Sequence, residues 1–126
     1  METNQEKNAW KEVRYHKKFL NALRGVYVFI MASPHILVAA IFSGLVIILG
    51  FYFKIGEAEW LALVFAIGLV FIAEAFNTAI EIDIDLTSPD YHPYARDTKD
   101  VAAGAVLLSL LLATIVGAMI FLPKIF

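Results

Sequence analysis

Three long stretches of this chain are almost wholly apolar, and its charges are gathered into the segments between them. Residues 26–53 carry no charge, and their clearly polar or kinking positions are Ser33, Pro34, His35 and Ser43. Residues 60–80 are apolar apart from Glu74, Asn77 and Thr78, and residues 101–123 contain no charge at all. Roughly 20 apolar residues cross a bilayer as a helix, so each stretch is long enough. Helix signals refine the bounds. Ser33-Pro34 reads as an N-cap followed by proline at the first helical position, and Thr87-Ser88-Pro89-Asp90 reads as a break. The pattern predicts transmembrane helices over about 33–53, 57–86 and 97–122.

Ahead of them, Trp10, Val13, Phe19, Leu20 and Leu23 recur at helical spacing among basic residues. This predicts an amphipathic surface helix over about 8–31, its Lys and Arg meeting anionic headgroups. Phe51, Tyr52, Phe53 and Trp60 bracket the first turn and read as an interfacial aromatic belt. Ala105, Ser109, Ala113 and Gly117 form a small-residue stripe on the third span, where a neighbouring helix can approach closely. The fold class expected is therefore all-α, a single membrane domain over 1–126.

Composition excludes the alternatives. The chain has 126 residues, 60% of them hydrophobic, and a mean hydropathy of +0.73. Too little polar sequence remains to cover three apolar helices in water. Without cysteine there is neither a disulfide nor a thiolate metal site, and a net charge of −2 gives no basis for nucleic-acid binding. Lys7, Lys11, Arg14, Lys17, Lys18 and Arg24 precede the first span, and Arg96 and Lys99 lie between the second and third. Lys54 and Lys124 fall on the opposite side. The positive-inside rule then places the N-terminus and the 86–100 loop in the cytoplasm. No secretory leader is expected, since no small-residue cleavage site precedes the first span.

The chemistry is concentrated in Glu74, Asn77, Glu81 and Asp85, spaced three, four and four residues apart and so on one helical stripe. An ionisable group at membrane depth costs on the order of 3 kcal/mol even on lenient insertion scales, and therefore calls for a role. Glu81 with a second carboxylate suits Mg²⁺, with waters or phosphates completing the octahedron. Glu74, deeper along the same stripe, suits accepting a proton from a hydroxyl whose tail stays in the bilayer. Asn77 lies between them and can orient either. Lys99 and Asp100 add a phosphate-binding charge and a partner to hold it. The set reads as phosphoryl transfer at the membrane surface, governed by positioning and charge neutralisation. Blander roles exist for each residue. Glu74 can serve as a structural hydrogen-bonding group, Glu81 and Asp85 as wetted end charges, Lys99 and Asp100 as headgroup-level charges, and Asp97 or Asp100 as a helix cap. His35 reads as a snorkelling or capping residue.

The segment AEAFNTAIEIDIDLTSPDYHPYARDTKDVAAGAVLL resembles the signature of the small bacterial membrane lipid kinases, the diacylglycerol kinase and undecaprenol kinase family. Its E-x-x-N-[ST]-A-I-E-x-x-x-D run is met, as is its A-K-D-x-A-[AS]-A-V-type run with Thr98 in place of the first alanine. The resemblance extends from about residue 50 to 124. It implies an N-terminal surface helix with three transmembrane helices, a homotrimer with active sites between protomers, and residence in the bacterial cytoplasmic membrane. It implies ATP with Mg²⁺ as donor and a membrane lipid alcohol as acceptor, undecaprenol or diacylglycerol; the VAAGAVLL run and FLPK ending resemble the undecaprenol branch more. By position it implies Glu74 as general base, Glu81 as metal ligand, and Asn77, Asp85, His92, Lys99 and Asp100 around the nucleotide.

One position departs from that pattern. Ser33 stands where the family usually carries a second metal-ligating Glu, and no carboxylate occurs between Glu12 and Glu57. Two other readings therefore stand beside the kinase: a family member acting as a membrane scaffold, and a small proton- or cation-coupled transporter with Glu74 as relay.

Overall fold

The computed structural model describes residues 3–5 and 15–126, with the side chains of Tyr15 and His16 left aside. The chain divides into two compact units, Met1–Ala32 and Ser33–Phe126. In the first, α1 spans Tyr15–Ala32. Its apolar side chains, Phe19, Leu20, Leu23 and Val26 among them, are exposed. Trp10 and Val13, with which the sequence opens its surface helix, lie outside the described residues.

The second unit is three helices: α2 (Ile36–Tyr52), α3 (Glu57–Thr87) and α4 (Pro93–Ile125). α3 and α4 are each long and apolar enough to cross a bilayer, and a third candidate span is reached by length and composition only if α1 and α2 are counted as one. Ion pairs at both ends show α3 and α4 to be antiparallel. Lys99 of α4 meets Asp85 near the end of α3, and Lys124 meets Glu59 at its start. α3 packs far more extensively against α4 than against α2.

Local chemistry explains the helix limits. α2 begins at Ile36 rather than at Pro34, because Ser33 does not cap it. Ser33 is buried, and its hydroxyl finds no hydrogen-bond partner among the described residues. The first helical bond runs from Ala39 N–H to His35 C=O. α4 begins at Pro93, ahead of the expected 97, because His92 Nδ1 accepts from Tyr94 N–H at 3.2 Å and Pro93 supplies the preset φ of a first helical residue. Neither Asp97 nor Asp100 is the cap.

α2 ends in a Schellman arrangement. Ile55 N–H donates to Gly50 C=O and Lys54 N–H to Phe51 C=O, with Lys54 in the left-handed region at φ 52°. These bonds satisfy carbonyls that would otherwise be orphaned at the helix end. Ile55, Leu63, Ile120 and Phe121 then form a buried cluster, with Phe53 and Trp60 packed against it. Two of the four aromatics read as an interfacial belt, Phe53 and Trp60, are thus partly buried inside the unit, while Phe51 and Tyr52 are exposed.

The α3 seam buries Leu63, Ala66, Val70, Glu74 and Asn77, at spacings of three and four residues. α4 answers with Ala102, Val106 and Ser109, then Ile120. Ala105 is exposed and Ala113 and Gly117 half-buried, so the small-residue stripe joins the seam from Ser109 on. A strict four-residue repeat drifts by about 40° per step on a 3.6-residue helix, and four such positions cannot share one face.

Candidate functional site

A groove of about 800 Å³ runs between the three helices of the second unit. Its walls are apolar along most of its length: Val38, Phe42 and Val46 from α2, Leu63, Ala66 and Val70 from α3, and Val106, Leu110 and Gly117 from α4. Polar groups gather at one end, where α3 contributes Glu74, Asn77 and Glu81. The groove reaches from Leu63 to Glu81 on α3, about 27 Å of helix at 1.5 Å per residue. It is therefore comparable in length to the hydrocarbon core of a bilayer.

Glu74, Asn77 and Glu81 lie together because their spacings return each side chain to the seam. Glu74 and Asn77 are only 5% and 6% exposed, whereas Glu81 is half-buried. Asn77 Nδ2 donates to Glu81 Oε1 at 3.3 Å, which fixes the amide's donor side toward the carboxylate. What remains is a set of unmet acceptors and one hydroxyl. Glu74 Oε2, Asn77 Oδ1 and Thr78 Oγ1 are buried and have no partner among the described residues. Leaving such a group unpaired costs about 1–3 kcal/mol, and more where it is charged. Glu74 and Asn77 line the groove, so a hydroxyl or cation entering there would relieve that cost.

The other site residues predicted from sequence sit apart from the groove. Asp85 is exposed and accepts from Lys99 Nζ at 2.6 Å. That bond is the main cause holding the Lys99 ammonium's pKa above its usual value; desolvation opposes it, and the charges of Asp85 and Glu81 add to it. Asp100, expected to hold Lys99, instead pairs with Arg96 at 3.7 Å. Adjacent residues on a helix point about 100° apart, whereas i and i+4 share a face. His92 caps α4 through Nδ1.

Two polar residues lie in or beside this region without a site role in the sequence reading. His35 lines the groove with Glu74, Asn77 and Glu81, and its side chain does not cap α2. The available signal was its place as the sole histidine in a span otherwise free of titratable side chains of comparable strength, Tyr27 and Tyr52 aside. Thr78 is 4% exposed with an unmet hydroxyl, and its signal was its place inside the Glu-x-x-Asn-Thr run.

Comparison with known proteins gives a consistent result. The family model for prokaryotic diacylglycerol kinase matches residues 20–121. An undecaprenol kinase of Bacillus subtilis (strain 168) is 37% identical over 111 residues, 88% of this chain and 90% of its own length. A diacylglycerol kinase of Synechocystis sp. is 52% identical over 56 residues, 44% of this chain and 32% of that protein. One of Helicobacter pylori (strain 26695) is 29% identical over 110 residues, 87% of this chain and 81% of its own length. No solved structure matches the chain.

Proposed function

The chain belongs to the prokaryotic diacylglycerol kinase family, and from that premise we propose that it is a lipid kinase. It transfers the terminal phosphoryl group of ATP to the hydroxyl of a membrane lipid alcohol at the cytoplasmic face. The observation that carries this reading is Glu74, a carboxylate buried in an apolar groove of bilayer length with one oxygen unpaired. A lipid alcohol lying in that groove places its hydroxyl against Glu74, which takes the proton as the oxygen attacks phosphorus. The apolar walls hold the tail and keep water from competing as acceptor.

Asn77 steers Glu81 through its 3.3 Å hydrogen bond. Lys99, fully protonated beside Asp85, offers its charge to the nucleotide phosphates from the exposed end of α4. Asp85, His92 and Asp100 belong with that nucleotide end. Magnesium fits the donor chemistry present: Glu81 and Asn77 offer hard oxygens, and Mg²⁺ usually takes one or two carboxylates together with substrate phosphates. Among the described residues no group of three or more His, Asp or Glu gathers as a ready-made cage. Glu81 would hold the ion, whose contribution when bound is to neutralise charge on the phosphates. Lys99 and Arg96 toward the cytoplasm, a homotrimer, and residence in the bacterial cytoplasmic membrane complete the reading.

Undecaprenol is the acceptor favoured, supported by the undecaprenol kinase relative that aligns over nearly the whole chain. The test is the full chain in mixed micelles with Mg-ATP and either undecaprenol or diacylglycerol. Transfer to undecaprenol at the higher rate is expected. Transfer to neither lipid at any Mg²⁺ concentration overturns the kinase reading and favours the scaffold, to which Ser33, with no carboxylate in its place, already points.

A further inference from the structure

Among the described residues, the buried polar or charged side chains are Ser33, Glu74, Asn77, Thr78 and Ser109. Four of them gather at one level of the α3–α4 hairpin. From the Glu59–Lys124 pair, fifteen residues lead to Glu74 along α3 and fifteen to Ser109 along α4, and both helices rise about 1.5 Å per residue. Counting from Asp85–Lys99 agrees to within one residue. Asn77 and Thr78 follow Glu74 by about one helical turn. The four form two layers: Glu74 and Asn77 line the groove, whereas Thr78 and Ser109 do not.

The rear layer holds an anomaly. Thr87, Thr98 and Thr114 each donate to the carbonyl four residues back at 2.8 Å, the ordinary bond of a helical threonine. Thr78 makes no such bond, and its buried hydroxyl has no partner among the described residues. Its neighbours at this level are committed: Ser109 Oγ donates to Val106 C=O at 2.7 Å and Asn77 Nδ2 donates to Glu81. Thr78 is therefore the buried donor left without a partner, beside two unmet acceptors, Glu74 Oε2 and Asn77 Oδ1. Residues one apart on a helix do not face each other, whereas i and i+4 have Cβ atoms about 5–6 Å apart. Glu74 is the acceptor that Thr78 shares a face with, and a glutamate carboxyl turning about its own bonds spans that gap.

We infer that Thr78 is a positioning residue for Glu74. With an acceptor alcohol in the groove, the Thr78 hydroxyl donates to one carboxyl oxygen from the side away from the groove, leaving the other oxygen to the alcohol. A carboxyl held in one orientation meets the reacting hydroxyl in productive geometry more often. The inference deepens the lipid-kinase reading and rests on the role of Glu74 in it.

The experiment uses the full chain in mixed micelles with Mg-ATP and undecaprenol, and compares Thr78→Val, Thr78→Ser and Ser109→Ala. Thr78→Val keeps the shape and removes the hydroxyl. Its kcat should fall about tenfold, the effect of losing one hydrogen bond to a charged group, with KM for the lipid within about twofold. Thr78→Ser should restore most of the rate. Ser109→Ala removes a buried hydroxyl at the same level whose proton is already committed, and should leave kcat within about twofold. In a Glu74→Gln background, Thr78→Val should cost less than about twofold more, because it acts through Glu74. A second readout needs no turnover. The Glu74 carboxyl stretch, measured by infrared difference spectroscopy on carbon-13-glutamate protein with farnesol and no nucleotide, is assigned by its loss in Glu74→Gln. It should be displaced in Thr78→Val and hold its wild-type position in Thr78→Ser and Ser109→Ala. Equal losses of kcat in Thr78→Val and Ser109→Ala, additive losses with Glu74→Gln, or an unmoved carboxyl band overturn the assignment. Should Thr78→Val fail to fold, Thr78→Ala carries the same comparisons. A Thr78-dependent band in a protein that phosphorylates neither lipid overturns the kinase reading and leaves the hydrogen bond standing; normal transfer by Thr78→Val does the reverse.

Discussion

Lys99 Nζ lies 2.6 Å from Asp85 Oδ1 and so joins the last turns of α3 to the first turns of α4 across 14 residues of sequence. Both side chains are substantially exposed, so screening by solvent keeps the stabilisation small. The pair's value lies in where it holds the ammonium.

The pair carries a pH signature. Lys99 has its pKa raised in the folded protein, chiefly by the hydrogen bond it donates to Asp85. A raised folded pKa contributes stability that is fully present below the unfolded value near 10.4 and is lost as pH rises through the folded value. Thermal unfolding in detergent between pH 9 and 12 should therefore show a steeper alkaline loss in wild type than in Asp85→Asn. Parallel curves would remove the pair from the stability of this end.

Glu74→Gln keeps the size and polarity of the side chain and removes its basicity. Phosphoryl transfer should fall by about 10²–10⁴, the usual share of a general base, with nucleotide affinity unchanged within about twofold. Turnover in mixed micelles and equilibrium ATP binding measure the two separately. An unchanged rate would take Glu74 out of the proton-accepting role.

Gly50 is a packing requirement. A Cβ there would sit 2.7 Å from Trp60 Cη2 and 3.2 Å from Ile55 Cδ1. Gly50→Ala should destabilise the second unit by about 1–3 kcal/mol, the usual cost of overpacking. Replacing Trp60 by Leu in the same chain should recover part of that loss. Unfolding midpoints of the single and double variants give the comparison, and additive losses would show that the two sites are uncoupled.

Lys54 holds a left-handed backbone conformation at φ 52°, which for a residue with a Cβ costs about 1–2 kcal/mol. Glycine is the usual occupant of this position in the motif. Lys54→Gly should raise stability by up to about 1 kcal/mol, read as an upward shift of the unfolding midpoint.

Much of this was legible in the sequence, for reasons that can be located. Glu74, Asn77 and Glu81 lie together because helical spacing alone fixes which residues share a face, and a carboxylate within an apolar run is visible without coordinates. The break at Thr87–Ser88 was equally local. What escaped depended on the rotation of one helix against another. Lys99 finds Asp85 rather than Asp100 only once α3 and α4 are set side by side, whereas the exposure of Ala105 follows from the drift of a four-residue repeat around its own helix. His35 hid behind a competing local signal, since Ser33-Pro34 imitates a helix start that the chain does not use.

The two ion pairs at opposite ends of α3 and α4, Asp85–Lys99 and Glu59–Lys124, have a mechanical consequence. They clasp the hairpin top and bottom, while α2 leans on it through a smaller contact that includes Gly50 and Trp60. Parting α2 from its neighbours sacrifices the fewest interactions of any widening motion, and low local contact density is where opening is cheapest. The groove is therefore most cheaply widened along the flank of α2, with the clasped pair as its fixed side.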